Sequence, residues 1–159
     1  MASRQIPIER TAKTAVIGGC SMTASRLWVA VEFSKRDGGS VMRDCLLDSG
    51  APMSVVPFSF HQTYDLDWQT VSDPSLPRAH WFDVECDMGQ IDVWLPDNTG
   101  SMAGPFTLVA KFPRATPRAL RGPHMHVPIL LGLNFIADVH GEVHFQCHLP
   151  FDAGSILIP

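Results

Sequence analysis

The chain has 159 residues, of which 45% are hydrophobic and 18% are charged. This length suits one domain with a sizeable core, and the composition excludes a disordered chain. The net charge of -4 argues against nucleic acid as a partner. Thirteen prolines and twelve glycines require many turns, which is typical of a fold built from short strands.

The first third of the chain predicts a strand-rich unit. Residues 1–13 show no periodicity and are interpreted as an N-terminal arm, and residues 14–17 are a candidate first strand. Residues 26–34 alternate apolar and polar side chains, which predicts a half-buried strand. An Asp-Gly-Gly turn at residues 37–39 then predicts a hairpin, whose second strand covers residues 41–47.

The rest of the chain predicts four more strands and one short helix. The strands cover residues 82–88, 91–95, 105–112 and 141–148, and the helix covers residues 134–139. Proline and arginine dominate residues 113–126, which are therefore interpreted as a long exposed loop. Taken together, these patterns predict an all-β fold with little helix and no internal repeat.

Residues 45–57 contain chemistry that packing alone does not explain. An apolar run leads directly into Asp48, Ser49 and Gly50 before apolar residues resume. A carboxylate delivered to an apolar interior is costly unless it is paired or protonated. Gly50 permits a tight turn in which backbone N–H groups point back at the carboxylate. Asp48 is therefore the candidate catalytic residue, and an ordinary surface turn is the alternative interpretation.

Two stretches of the chain resemble the landmarks of one protein family. Residues 46–51, Leu-Leu-Asp-Ser-Gly-Ala, resemble the active-site loop of retropepsin-like aspartic proteases. Residues 128–136, Pro-Ile-Leu-Leu-Gly-Leu-Asn-Phe-Ile, resemble the family's second landmark, an apolar strand that ends in glycine before a short helix. The resemblance covers residues 14–148 and implies a homodimeric acid-protease fold with a closed, partly barrel-like sheet. Residues 149–159 would be a C-terminal tail and a candidate part of the dimer interface.

The same resemblance assigns roles to the neighbours of Asp48. It implies that Ser49 hydrogen-bonds to the partner's loop, and that Gly50 and Ala51 turn the loop and line the cleft. Gly132 would pack beneath that loop.

The resemblance also implies a flap, a hairpin that closes over bound peptide. The matching region is residues 73–87 with a tip near residues 75–80, and Leu76, His80 and Trp81 are its candidate substrate-binding residues. The tip contains no glycine, which departs from the pattern of the family.

The chemistry of peptide hydrolysis sets the expected oligomeric state. One carboxylate must be ionised to accept a proton from water, and a second must be protonated to polarise the carbonyl. Two carboxyls ~3 Å apart share one proton and titrate as a pair. Since the chain supplies one suitable residue, Asp48, the hypothesis requires a two-fold homodimer. The predicted partner is a peptide or protein bound as an extended strand, with no cofactor.

Two other functions remain open from the residues alone. The same fold would also suit a catalytically silent peptide-binding or dimerisation module. A hydrolase that uses Cys45 or Cys86 with a histidine is a further alternative, although neither cysteine lies in a recognisable catalytic signature.

Metal and membrane sites are not expected. His140, His144 and His148 are spaced by four, but on a strand such residues lie ~13 Å apart, which is too far to share one ion. The acidic residues between positions 83 and 92 are interpreted as a solvated strand face. No signal peptide or membrane-spanning run is visible, which predicts a cytoplasmic protein with reduced thiols.

Overall fold

The computed structural model describes residues 3–71, 78–123, 126–145 and 152–159. Strands make up 57% of the structure, and they include a closed six-stranded β-barrel. The all-β prediction is confirmed. The described residues contain two short α-helices, where the sequence predicted one.

The elements follow one another in this order along the chain. The first half contains β1 (Arg4–Ile17), β2 (Cys20–Ser34), β3 (Ser40–Leu47), β4 (Ser54–Val55), α1 (Phe58–Thr63), β5 (Trp68–Thr70) and β6 (Ala79–Trp81). The second half contains β7 (Val84–Pro96), β8 (Met102–Pro113), a 3₁₀ helix (Arg118–Leu120), β9 (Leu130–Leu131), α2 (Leu133–Asp138), β10 (Glu142–Phe145) and β11 (Asp152–Ile158).

The barrel closes because β2 pairs with β3 along one edge and with β7 along the other. Its neighbours run in the order β2, β3, β9, β4, β8 and β7, and β7 then returns to β2 through the pairs Glu32↔Trp94 and Phe33↔Val93. Each of these six strands therefore has a hydrogen-bonded neighbour on both sides along part of its length.

The core lies inside this barrel. Val29, Val31 and Phe33 point inward from β2 and are fully buried, which confirms the alternation predicted for residues 26–34. Strands β7 and β8 contribute a matching set of buried side chains: Ile91, Val93, Leu95, Leu108, Ala110 and Phe112. Burying each large apolar side chain contributes about 1.5–3 kcal/mol, so this set is the main source of stability.

The two ends of the chain differ from the predicted arm and tail. Strand β1 begins at Arg4, and its Ile6 and Ile8 are buried in the core. Strand β11 pairs with β1 on one side and with β10 on the other. Both ends are thus strands of this chain's own sheet. In the sequence, two alternating isoleucines form too short a pattern to predict a strand. Their burial becomes visible only when the rest of the fold covers them.

The acidic residues near the start of β7 are paired rather than simply solvated. Arg114 bonds to Asp87, and its guanidinium holds the pKa of that carboxyl below its usual value. The backbone N–H of Arg118 donates to Asp83 Oδ1 over 3.1 Å. Two arginines of the Pro- and Arg-rich loop are therefore bonded to Asp87, in β7, and to Asp83, directly before it.

The described residues contain no group of three or more His, Cys, Asp or Glu side chains that would hold a metal ion. In that same part of the chain, no helix is long and apolar enough to cross a membrane.

One histidine is buried among aromatic rings. His61 lies in α1 with its ring edge-on to Phe58, Trp68 and Phe112. Its Nε2 donates to the carbonyl oxygen of Pro113 over 3.1 Å, while Nδ1 is buried without a hydrogen-bond partner. Burial therefore lowers the pKa of His61, although the Pro113 carbonyl and the charge of Asp87 oppose the shift.

We expect acid to destabilise the fold through His61. Because the pKa of His61 is lower in the folded chain than its ordinary 6.5, the unfolded chain binds the proton first. The free energy of unfolding should therefore fall as the pH drops below about 6.5, until the folded-state pKa of His61 is reached. Urea denaturation between about pH 8 and pH 5 measures this slope.

The matched variants are His61→Phe and His126→Gln, the second at an exposed position. His61→Phe should flatten the slope, at a cost of about 1–3 kcal/mol because the Pro113 carbonyl loses its donor. An unchanged slope in His61→Phe would contradict the assignment.

Candidate active site

Strand β3 delivers Asp48 to the rim of the barrel. The strand pairs antiparallel with β2 and parallel with β9, through Leu46↔Leu130 and Leu47↔Leu131. The backbone N–H of Asp48 donates to the Leu131 carbonyl over 2.9 Å, which continues this ladder by one residue. Asp48 is therefore fixed on both sides at the point where the strand ends.

The residues after Asp48 form a tight turn around its carboxylate. The backbone N–H of Gly50 donates to Asp48 Oδ1 over 3.0 Å, and that of Ala51 donates to the Asp48 carbonyl over 3.1 Å. Asp48 is half-buried, whereas Ser49 and Gly50 are exposed. The sequence predicted a carboxylate in the interior, but the loop lies at the rim, so one side of the carboxylate reaches solvent.

Gly132 lies directly beneath this turn. A Cβ atom at Gly132 would lie 2.6 Å from the Met53 carbonyl carbon and 2.7 Å from the Ala51 oxygen. Next to it, the backbone N–H of Leu133 donates to the Ala51 carbonyl over 2.8 Å. The φ of Gly132 is -82°, which any residue can adopt, so backbone conformation does not require glycine here. Glycine is required because two backbones approach too closely to leave room for a side chain. The two motifs that the sequence singled out are in contact.

A polar network behind the turn, with Ser54 buried and Asn134 and Asp138 half-buried, was missed by the sequence analysis. Ser54 donates from Oγ to Asn134 Oδ1 over 3.0 Å and accepts from the Gly132 N–H over 3.0 Å. The Asn134 amide donates in turn to the Val109 carbonyl and to Asp138 Oδ2. Burial raises the pKa of Asp138, against the hydrogen bonds that it accepts. The sequence signal that could have indicated this network is a polar residue within an apolar stretch, at positions 54 and 134.

An apolar groove opens beside the turn. It has a volume of about 650 Å³, and its walls come from the Asp48 turn, α2 and β10. Six of its lining residues are Leu47, Ser49, Leu133, Ile136, Val143 and Phe145. Leu133 is 56% exposed and Phe145 is 50% exposed. Large apolar side chains grouped at one exposed place are typical of an interaction site.

Of the residues predicted to form the flap, the two that the structure describes lie on a different strand from the one that leads to Asp48. His80 and Trp81 lie in β6, which pairs with β7, while Leu76 falls outside the described residues. The β6–β7 turn is formed by Phe82 and Asp83, later in the chain than the predicted tip at residues 75–80. Within the described residues, no hydrogen bond or ring contact joins His80 or Trp81 to Asp48. Lys111 Nζ donates to the His80 carbonyl over 3.0 Å and ties this hairpin to β8.

The cysteine hypothesis finds no support in the geometry. Cys45 and Cys86 are both buried in the core. Burial raises the pKa of each thiol, which disfavours the nucleophilic thiolate.

Comparison with known proteins adds no assignment. No protein-family model matches the sequence, and no curated protein is significantly similar to it. The resemblance of residues 46–51 and 128–136 to the retropepsin-like landmarks therefore rests on the residues themselves and on their contact in space.

The contact at Gly132 gives a direct test of the site. Gly132→Ala should destabilise the chain on the order of 1–3 kcal/mol, because the new Cβ forces the backbone at Ala51 and Met53 to move. Thermal unfolding measures the loss, and amide exchange at residues 48–54 measures the displacement of the turn. Gly39→Ala is the matched control, since its nearest contact is the Asp37 side chain at 3.0 Å. Equal effects of the two changes would refute a special role for Gly132.

Proposed function

We propose that the protein is an aspartic endopeptidase whose active site forms between two copies of the chain. The observation that carries the proposal is a half-exposed carboxylate, Asp48, on a turn that is fixed from beneath by Gly132. No second carboxylate is paired with Asp48 among the described residues. A two-fold axis beside this turn would supply the missing one.

The reaction follows from two carboxyls that share one proton. The ionised Asp48 removes a proton from a water molecule while the protonated Asp48 of the other copy donates to the peptide carbonyl oxygen. Water oxygen then bonds to the carbonyl carbon and gives a tetrahedral diol. Transfer of a proton to the amide nitrogen breaks the C–N bond and releases an amine and a carboxylic acid.

The surroundings of Asp48 support this chemistry without taking part in it. The Gly50 N–H holds Oδ1 in one orientation, and the β3–β9 ladder fixes the backbone. A carboxylate held in this way needs little reorganisation during the reaction. Ser49 is exposed beside it, in a position to hydrogen-bond to the partner's turn across the proposed axis.

The proposed substrate is a peptide in extended conformation. Backbone hydrogen bonds along an extended peptide supply affinity, and pockets for alternate side chains supply preference. The side chains that flank the turn, Leu47 and Leu133, are apolar. This favours peptides with apolar residues near the cleaved bond, and the chemistry needs no cofactor.

Asp48→Asn should abolish peptide cleavage while leaving dimerisation and folding unchanged. The amide cannot accept the proton from water, and it occupies the same volume. Asp44→Asn is the matched control, because Asp44 is exposed in β3, the strand that leads to Asp48. This variant should keep full activity. Cleavage of a peptide library, followed by mass spectrometry, provides the measurement. Peptide binding by the wild type without cleavage would instead support the silent binding module.

Mixing wild type with Asp48→Asn tests the shared site. If both carboxyls of a dimer are required, an equal mixture after subunit exchange should retain about a quarter of the wild-type activity. Independent sites in each chain would retain about half, which would refute the two-fold active site.

A further inference from the structure

The β1–β2 hairpin extends well beyond the sheet. Strand β1 pairs with β11 as far as Glu9, and β2 pairs with β3 as far as Leu27. Residues 11–26, called the ribbon below, therefore pair with each other but with no other strand that the structure describes. Every side chain that the structure describes in the ribbon is exposed, and Val16 reaches 74%.

The ribbon projects from the same end of the barrel as Asp48. The pair Leu27↔Leu47 places Arg26 level with Asp48, because β2 and β3 run antiparallel. Six more pairs follow in that direction, from Ala12↔Ser25 to Ile17↔Cys20. At about 3.3 Å per residue the ribbon reaches about 20 Å beyond the level of Asp48.

The two strands are also joined by a side-chain bond at the base of the ribbon. Trp28 Nε1 donates to Thr11 Oγ1 over 2.9 Å, across the two strands at the point where the ribbon begins. Since β2 runs without interruption from the barrel into the ribbon, it carries the ribbon past Asp48, and the length of the ribbon is set by the turn at Gly18 and Gly19.

We propose that the ribbon is an arm that packs along a second copy of this chain, next to the site around Asp48. The inference rests on the proposed function, which brings two Asp48 carboxyls to ~3 Å from each other. A ribbon that continues about 20 Å past that level then has to lie alongside the partner. The two-fold axis makes the arrangement reciprocal, so each copy holds the other with its own arm.

Physical arguments favour a second copy over other occupants. An isolated two-stranded ribbon is marginally stable, so burial against another surface would stabilise it. The ribbon contains Lys13 and Arg26 but no acidic residue, whereas the whole chain has a net charge of -4. The two turns at Asp48 are small, while a stable dimer buries roughly 1,200–2,000 Å², so arms that cover more surface are needed.

The test shortens the arm and leaves its base intact. Replacing residues 12–25 by Asn-Gly joins Thr11 to Arg26 through a two-residue hairpin turn and keeps the bond from Trp28 to Thr11. Sedimentation equilibrium should show the dimer dissociation constant rising tenfold or more. Activity per dimer, measured above that constant, should stay unchanged because the Asp48 turn is untouched. Gly18→Asn, which keeps the length of the ribbon, is the matched control and should behave like wild type.

One result of this test overturns the proposal, namely an unchanged dissociation constant in the shortened variant. If the KM for long peptides rises in that case, the ribbon is a substrate contact instead.

Cross-linking from the tip of the ribbon gives an independent measurement. Cys20 is exposed, while Cys45 and Cys86 are buried, so a photoreactive group can be attached to Cys20 in a Cys147→Ser background. With equal amounts of ¹⁵N-labelled and unlabelled chains, products between the two kinds of chain are expected. Products confined to single chains would overturn the proposal.

The two proposals fail in different ways. A wild type that stays monomeric at all concentrations ends both. A dimer that depends on the ribbon but never cleaves peptides ends the protease proposal and leaves the arm standing.

Discussion

The close approach of two backbones at Gly132 is the contact on which the candidate site depends. Strand β9 is two residues long, yet it pairs with β3 on one side and with β4 on the other. It thereby connects the strand that precedes Asp48 to the strand that follows its turn. Gly132 continues this strand against Ala51 and Met53, where a side chain of any size would push the turn outward. The position of Asp48 is thus set by a segment more than 80 residues later in the chain.

The polar network behind the turn converts this contact into a rigid arrangement. Ser54, Asn134 and Asp138 satisfy one another and the backbone of Val109, so β4, β8 and α2 are held in one register. Paired polar groups that are partly shielded from solvent favour one packing, because a shift would leave a donor or an acceptor unsatisfied. The carboxylate at the rim is consequently supported by hydrogen bonds of defined direction as well as by apolar packing.

The pairing of the chain ends determines which surfaces remain for a partner. Strand β11 is held between β1 and β10 of the same chain, so the tail already has neighbours on both sides. The surfaces left uncovered near Asp48 are the apolar groove around Leu133 and Phe145 and the ribbon of residues 11–26. Both lie at the end of the barrel that carries the Asp48 turn. In the proposed dimer, assembly and chemistry would therefore depend on the same surface.

The sequence by itself determined the all-β class and the alternating apolar faces of β2 and of the central part of β7. These follow from period-two alternation, which needs no knowledge of distant residues. The packing of Gly132 beneath the Asp48 turn was expected from the resemblance of two local motifs to one protein family, and the structure shows that contact. Only the tertiary structure decided that the ends of the chain are strands, that Arg114 and Arg118 bind Asp87 and Asp83, and that Ser54 and Asn134 are hydrogen-bonded to each other. Each of these depends on partners that are far apart in sequence. A short pattern such as Ile6 and Ile8 gains its meaning when the barrel brings a covering surface to it.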